Sequence, residues 1–304
     1  MSEKFELEPL GDYSLRESAG FIDAWHEAPA EGGKTEGHLH LAFLTDGAWA
    51  PAGVCLTQDD ASGVVRGKVY GEAPIDDVRS QTARILSLDV DGREWPAVAR
   101  RDRVVERLQR MFPGFRPVNW SNAYEATAWC LISTRISMRQ GQGIKERMSR
   151  ELGTSIDIHG HRLFCFPGPE VLAHIKSYPG LFGRKVEYLN ALGRAAMAGD
   201  VDTETLRRMP GPESLAALRR LPGIGEFGSQ LVRLRALSAV DELPTSEPRL
   251  LEAVREQYGL THDLDIAELG RIAEGWRPYR MWVAVCLRRA LAGGAGMTHS
   301  RAAR

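Results

Sequence analysis

The sequence predicts a two-part protein: an α+β N-terminal domain, β-rich to about residue 75, followed by an all-α domain. Three observations carry this. His38-Leu39-His40-Leu41-Ala42-Phe43 alternates as a half-buried strand does. Helical periodicity takes over near residue 75 and is unbroken from Trp120 on. Leu221-Pro222-Gly223-Ile224-Gly225 then makes a tight turn between two helical patterns.

In chain order, Asp46-Gly47 and Asp59-Asp60-Ala61-Ser62-Gly63 are turn signals, and Val64–Tyr70 reads as a second strand. Val78, Thr82, Ile85 and Leu86 share one side of a helix over Asp76–Leu86, and one further helix is expected from Trp95 to Met111. The Pro/Gly-rich loop Met111–Pro117 marks the junction, giving domains 1–115 and 116–292 and a flexible tail 293–304. Asn122/Glu125 and Ser137/Gln140 have capping-box spacing, and Gly153 suits a helix C-terminus. Pro169 suits the start of the next helix. Helices then follow over 184–198, 202–209, 213–218, 227–237, 248–258, 263–274 and 278–291.

Composition describes an ordinary globular chain, 43% apolar and 26% charged. It lacks an 18-residue apolar run, so no membrane-spanning helix is expected, and the charged N-terminus does not read as a secretory signal. A cytoplasmic, nucleoid-associated monomer is the expectation. The four cysteines, at 55, 130, 165 and 286, are too scattered for a CxxC knuckle or an iron–sulfur cluster, so no metal site is assigned. The net charge of -1 hides an asymmetry. The first 60 residues hold 3 bases and 12 acids, and the rest holds 36 bases and 28 acids. A DNA-facing helical part is compatible with this, and so is a merely solvated one.

The hairpin turn, the helix after it and the acid Glu247 resemble the helix-hairpin-helix DNA glycosylases (the HhH-GPD superfamily), above all the bacterial 3-methyladenine DNA glycosylase II type. Phe166-Pro167-Gly168-Pro169-Glu170 and Trp276-Arg277-Pro278-Tyr279-Arg280 resemble further segments of that family in the same order. The resemblance implies a partner, double-stranded DNA with a damaged base, and a reaction, hydrolysis of the base–sugar bond after the base has left the stack. It implies no cofactor, beyond a monovalent cation that the hairpin carbonyls could hold.

By the same resemblance, Leu221, Gly223, Ile224 and Gly225 hold the phosphate backbone, and Arg135 enters the duplex. Glu247 falls where the family has its catalytic Asp, one methylene longer. Three readings follow: a working acid on a shifted backbone, a weakened enzyme, or a DNA-binding relative that does not cut. Phe227 stands where bifunctional members carry a Schiff-base lysine, which implies a glycosylase without lyase activity. Phe227, Leu231 and Arg288 fall at base-pocket positions. Arg288 would repel a cationic base unless it points outward. Pro248 makes Glu247 the nominal N-cap of the following helix, with Ser246 as its rival.

Overall fold

The computed structural model describes residues 3–24, 31–35 and 37–301; for 24, 31–35 and 293–301 it describes the backbone only. The chain opens with β1 (Lys4–Leu7), α1 (Leu15–Ala24), β2 (Glu31–Thr35), β3 (His38–Leu44), β4 (Pro51–Gln58) and β5 (Val65–Gly71). These strands form one antiparallel sheet in the order β1-β5-β4-β3-β2. Sequence reading found β3 and β5. It gave no sign of β1, α1, β2 or β4, and for β4 the reason is physical. Ala52, Val54 and Leu56 face the helices behind the sheet, while Cys55 faces a second apolar cluster on the front. A strand covered on both faces shows no alternation.

Next come α2 (Ile75–Ile85), α3 (Trp95–Arg101) and α4 (Arg103–Met111). The single helix expected over 95–111 is in fact two. Asp102 leaves the helical region and caps α4, accepting from the Val104 and Val105 amides at 2.8 and 3.2 Å.

α5 (Ala123–Ser133) and α6 (Met138–Leu152) follow. Asn122 caps α5 through the Glu125 amide at 2.8 Å. The Glu125 side chain does not complete the capping box. It is buried, pairs with Lys145 Nζ of α6 at 2.8 Å and accepts from the Ser121 hydroxyl. Residues 123–132 are all buried, so α5 is a central helix rather than a one-faced one. The capping box at Ser137 and Gln140 forms with both of its bonds.

The chain is not helical throughout after Trp120. β6 (Ser155–Ile158) and β7 (His161–Phe164) form a hairpin turning at His159 and Gly160, whose φ values are +54° and +79°. Ile156 and Ile158 pack with Ala42, Leu44 and Cys55 on the front of the sheet. The remaining elements are α7 (Pro169–His174), α8 (Lys185–Met197), α9 (Thr203–Arg208), α10 (Gly211–Arg219), α11 (Glu226–Arg235), α12 (Pro248–Tyr258), α13 (Ile266–Ala273) and α14 (Arg280–Arg301). The backbone of α14 stays helical through Arg301, beyond the end expected near 291, and residues 302–304 lie outside the described residues.

Two large cores result. One joins the sheet and α1–α4 to α12–α14, around Phe43, Val54, Ile85, Trp276 and Trp282. The other runs from Trp120 to Leu237 and centres on α5. The chain therefore returns to its N-terminal half after residue 237. That return carries the Glu247 loop and α14 to α11, across the seam between the two cores.

Candidate active site

The turn between α10 and α11 is shaped by what its side chains bury. Leu221 and Ile224 are buried in the α5 core, so only their backbones are available outside. Gly223 has φ +87°, and a Cβ there would lie 2.5 Å from Tyr188 Cδ2 and 2.8 Å from Leu131 Cδ2. Gly225 is different from Gly223. Its φ of -99° suits any residue, but the space beside it is open, and no side chain caps α11. The first amides of α11 thus point outward beneath an unobstructed surface, the arrangement that binds an anion.

Leu131 of α5 packs against Gly223 and Cys130 against Gly228, and Arg135 follows just past the end of that helix. It is exposed, with φ +58°, between α5 and α6. Two hydrogen bonds hold the start of that turn: Thr134 Oγ1 to the Cys130 carbonyl at 2.6 Å, and Lys185 Nζ to the Ile132 carbonyl at 2.7 Å. Burial pushes the Lys185 ammonium pKa down.

Phe227 is the second residue of α11 and is 45% exposed. With Gln230, Leu231 and Leu234 it forms one face of α11, at helical spacing. Met281, Ala284, Val285 and Arg288 do the same on α14, and Ser246, Glu247 and Leu250 close the third side. Together they enclose a cleft of about 70 Å³. All of the expected pocket residues and the expected acid therefore meet in one place.

Glu247 caps α12 itself, Oε1 accepting from the Arg249 amide at 3.2 Å. Ser246 does not take over the cap, because Gln230 Oε1 accepts from both its amide and its hydroxyl, at 3.1 and 2.9 Å. Gln230 also donates to Thr245 Oγ1 at 3.0 Å. Gln230 is thus the clamp that fixes the loop ahead of Glu247; its long-range role leaves no mark in the sequence pattern. Arg288 points inward, not outward: its Nη1 is 2.5 Å from Glu247 Oε2, with side-chain exposures of 11% and 19%. Both carboxylate oxygens are therefore engaged. The cleft offers an apolar wall, a carboxylate at a helix N-terminus, and a guanidinium bridging to it.

No protein-family model matches the chain. The 3-methyladenine DNA glycosylase of Archaeoglobus fulgidus superposes with a TM-score of 0.78 over 93% of this chain and 97% of its own, at 18% identity. The chain has the fold of the helix-hairpin-helix DNA glycosylases. An 8-oxoguanine glycosylase/lyase of Clostridium acetobutylicum, in complex with duplex DNA, shares the glycosylase fold over 97% of this chain and 98% of its own, with a TM-score of 0.70 and 14% identity. In sequence, the DNA-3-methyladenine glycosylase of Bacillus subtilis (strain 168) is 23% identical over 214 residues, 68% of this chain and 69% of the relative. In this chain α10, the turn and α11 form a helix–turn–helix, and Glu247 is the N-cap of α12. Among the described residues no helix is long and apolar enough to cross a membrane.

Proposed function

We propose that the chain is a monofunctional DNA glycosylase of base-excision repair, acting in the cytoplasm on nucleoid DNA, as a monomer. It would hydrolyse the N-glycosidic bond of a damaged, alkylated base flipped from duplex DNA. The observation that carries this is the convergence of Glu247 with Phe227, Leu231 and Arg288 on one cleft, next to an uncapped helix start.

The outward amides of α11 and the backbone from Leu221 to Gly225 hold a phosphate. Arg135, exposed on its turn, fills the gap that the flipped base leaves. The base lies against Phe227 and Leu231. As the C1′–N bond breaks, the bonding pair leaves with the base and positive charge grows on the sugar. The Glu247 carboxylate stabilises that charge and takes a proton from the water that attacks C1′, while a departing base that was neutral, now anionic, takes up a proton from solvent. Arg288 holds Glu247 in place and puts a fixed cation beside the base. It disfavours bases that are themselves cationic and favours neutral alkylated bases with a hydrogen-bond acceptor. Phe227 supplies no amine, so the strand is left intact.

A second reading, a relative that binds bent or damaged DNA and is catalytically weak, is favoured by one observation: both Glu247 oxygens are already paired. One experiment separates the two. Duplexes carrying single alkylated, deaminated or oxidised bases are incubated with the protein. Free base is measured by mass spectrometry and strand integrity by electrophoresis, before and after alkali. The enzyme reading predicts release of an alkylated base with the strand intact until alkali. Release accompanied by scission would contradict monofunctional chemistry. Tight binding without release from any duplex would establish the second reading.

A further inference from the structure

We propose that His38, His40, Cys55 and His159 form a structural zinc site on the front of the N-terminal sheet. The proposal is independent of the catalytic reading. Sequence spacing hides the cluster because strand register and a distant hairpin assemble it. His38 and His40 alternate on β3 and so share a face, and Cys55 on β4 is the register partner of His40. His159 comes from the turn of the β6–β7 hairpin, about a hundred residues later, brought there by Ile156 and Ile158 packing on the same face.

One ligand atom from each of the four residues lies within 4.8 Å of all the others. Tetrahedral zinc, with Zn–N of about 2.1 Å and Zn–S of about 2.3 Å, needs its ligand atoms roughly 3.4–3.6 Å apart. The His38 Nδ1–Cys55 Sγ pair, at 3.2 Å, is already near that spacing. The other ligand atoms, none more than 4.8 Å from another, would have to close by at most about 1.4 Å. His40 is buried, and its Nε2 has no hydrogen-bond partner among the described residues. A buried ring nitrogen without a partner is what a missing ligand bond leaves behind. His159 Nε2 is bonded to the Tyr70 hydroxyl at 3.0 Å, which leaves Nδ1 for the metal and makes Tyr70 an outer partner that orients the ring.

One thiolate and three neutral imidazoles are a borderline-soft set, suited to zinc rather than to magnesium or calcium. Four protein ligands complete the coordination shell, so the site would be structural, with no open position for chemistry. Its effect would be to staple the β6–β7 hairpin to β3 and β4. Lys68, the register partner of Cys55 on the adjacent strand, is the nearby cation, and its Nζ lies over the Tyr70 ring at 5.0 Å. It would favour the thiolate.

The test uses the untagged full-length protein. Zinc content is measured by plasma mass spectrometry, and the apoprotein is titrated with cobalt(II) and followed by absorption. The expected result is about one zinc per chain, and a cobalt form with tetrahedral d–d bands and a thiolate-to-cobalt charge-transfer band. Chelation should lower the melting temperature by roughly 5–10 °C. Cys55→Ala and His40→Ala should lose the metal and the chelator effect, whereas His161→Ala, on the neighbouring exposed ring, should keep both. The wild-type cobalt spectrum stands even if a ligand variant fails to fold. Metal-free protein that gives no charge-transfer band with cobalt overturns the proposal. So does zinc bound equally well by a folded Cys55→Ala variant.

Discussion

The two glycines of the hairpin look interchangeable in sequence and are not, and their alanine variants should separate stability from DNA binding. At Gly223, with φ +87°, alanine must adopt a left-handed conformation costing ~1–2 kcal/mol. Its methyl would also sit 2.5 Å from Tyr188 Cδ2 and 2.8 Å from Leu131 Cδ2, with Leu131 buried in the α5 core, an overpacking of ~1–3 kcal/mol. Restriction of the unfolded chain returns ~0.5–1 kcal/mol. Gly223→Ala should therefore lose about 1–4.5 kcal/mol. At Gly225, φ is -99° and no atom lies within 4 Å of an added Cβ. Gly225→Ala should stay within ~0.5 kcal/mol of wild type, yet its methyl stands where the backbone would meet a phosphate, so duplex affinity should fall about tenfold. Urea unfolding followed by circular dichroism gives the first quantity, and fluorescence anisotropy with labelled duplex gives the second. Equal stability losses in the two variants would refute the turn geometry. Wild-type affinity in Gly225→Ala would refute the placing of DNA on that surface.

Three other outcomes follow from the same structure. Arg135→Gly relieves a left-handed non-glycine residue and should gain up to ~1 kcal/mol in urea unfolding while weakening binding to damaged duplex; unchanged affinity would make Arg135 a bystander. Lys145→Met leaves Glu125 buried without its partner and should cost ~3–5 kcal/mol, most of it recovered in Lys145→Met/Glu125→Leu; additive losses in that double variant would contradict a coupled pair. The Ser62 amide, then the Ser62 hydroxyl and Arg66, hold the Asp59 carboxyl at about 2, below its ordinary 3.8. Its contribution is thus present above 3.8 and lost as pH falls toward about 2. Asp59→Asn should flatten that part of the acid unfolding curve; an unchanged curve would show that the Ser62 bonds do not survive in solution.

What could be read from the sequence divides along physical lines. Helices such as α6, α8 and α12 bury one face, and period and caps located them to within a residue or two. α5 and β4, buried on every side, carry no periodicity; α5 was placed by its Asn122 cap, and β4 was missed altogether. The β6–β7 hairpin is only four residues a side, too short to stand out among helices. In the cleft, Phe227, Leu231, Glu247 and Arg288 sit at positions that the family resemblance assigned by counting along the sequence. What spacing could not supply was the direction of Arg288, which turns inward because Glu247 is there to receive it. Gln230 and the four-residue cluster at His40 were invisible for a related reason: each depends on segments that only the folded chain brings together.

The measurement closest to the central claim is single-turnover release of an alkylated base by wild type, Glu247→Gln and Glu247→Asp, each first shown to bind the duplex. If Glu247 is the working carboxylate, Glu247→Gln should bind normally and release base at least ~100-fold more slowly, because the charge at the sugar is lost while the shape is kept. Glu247→Asp should retain measurable release. A Glu247→Gln variant as fast as wild type would contradict the assignment and with it the catalytic role of this cleft.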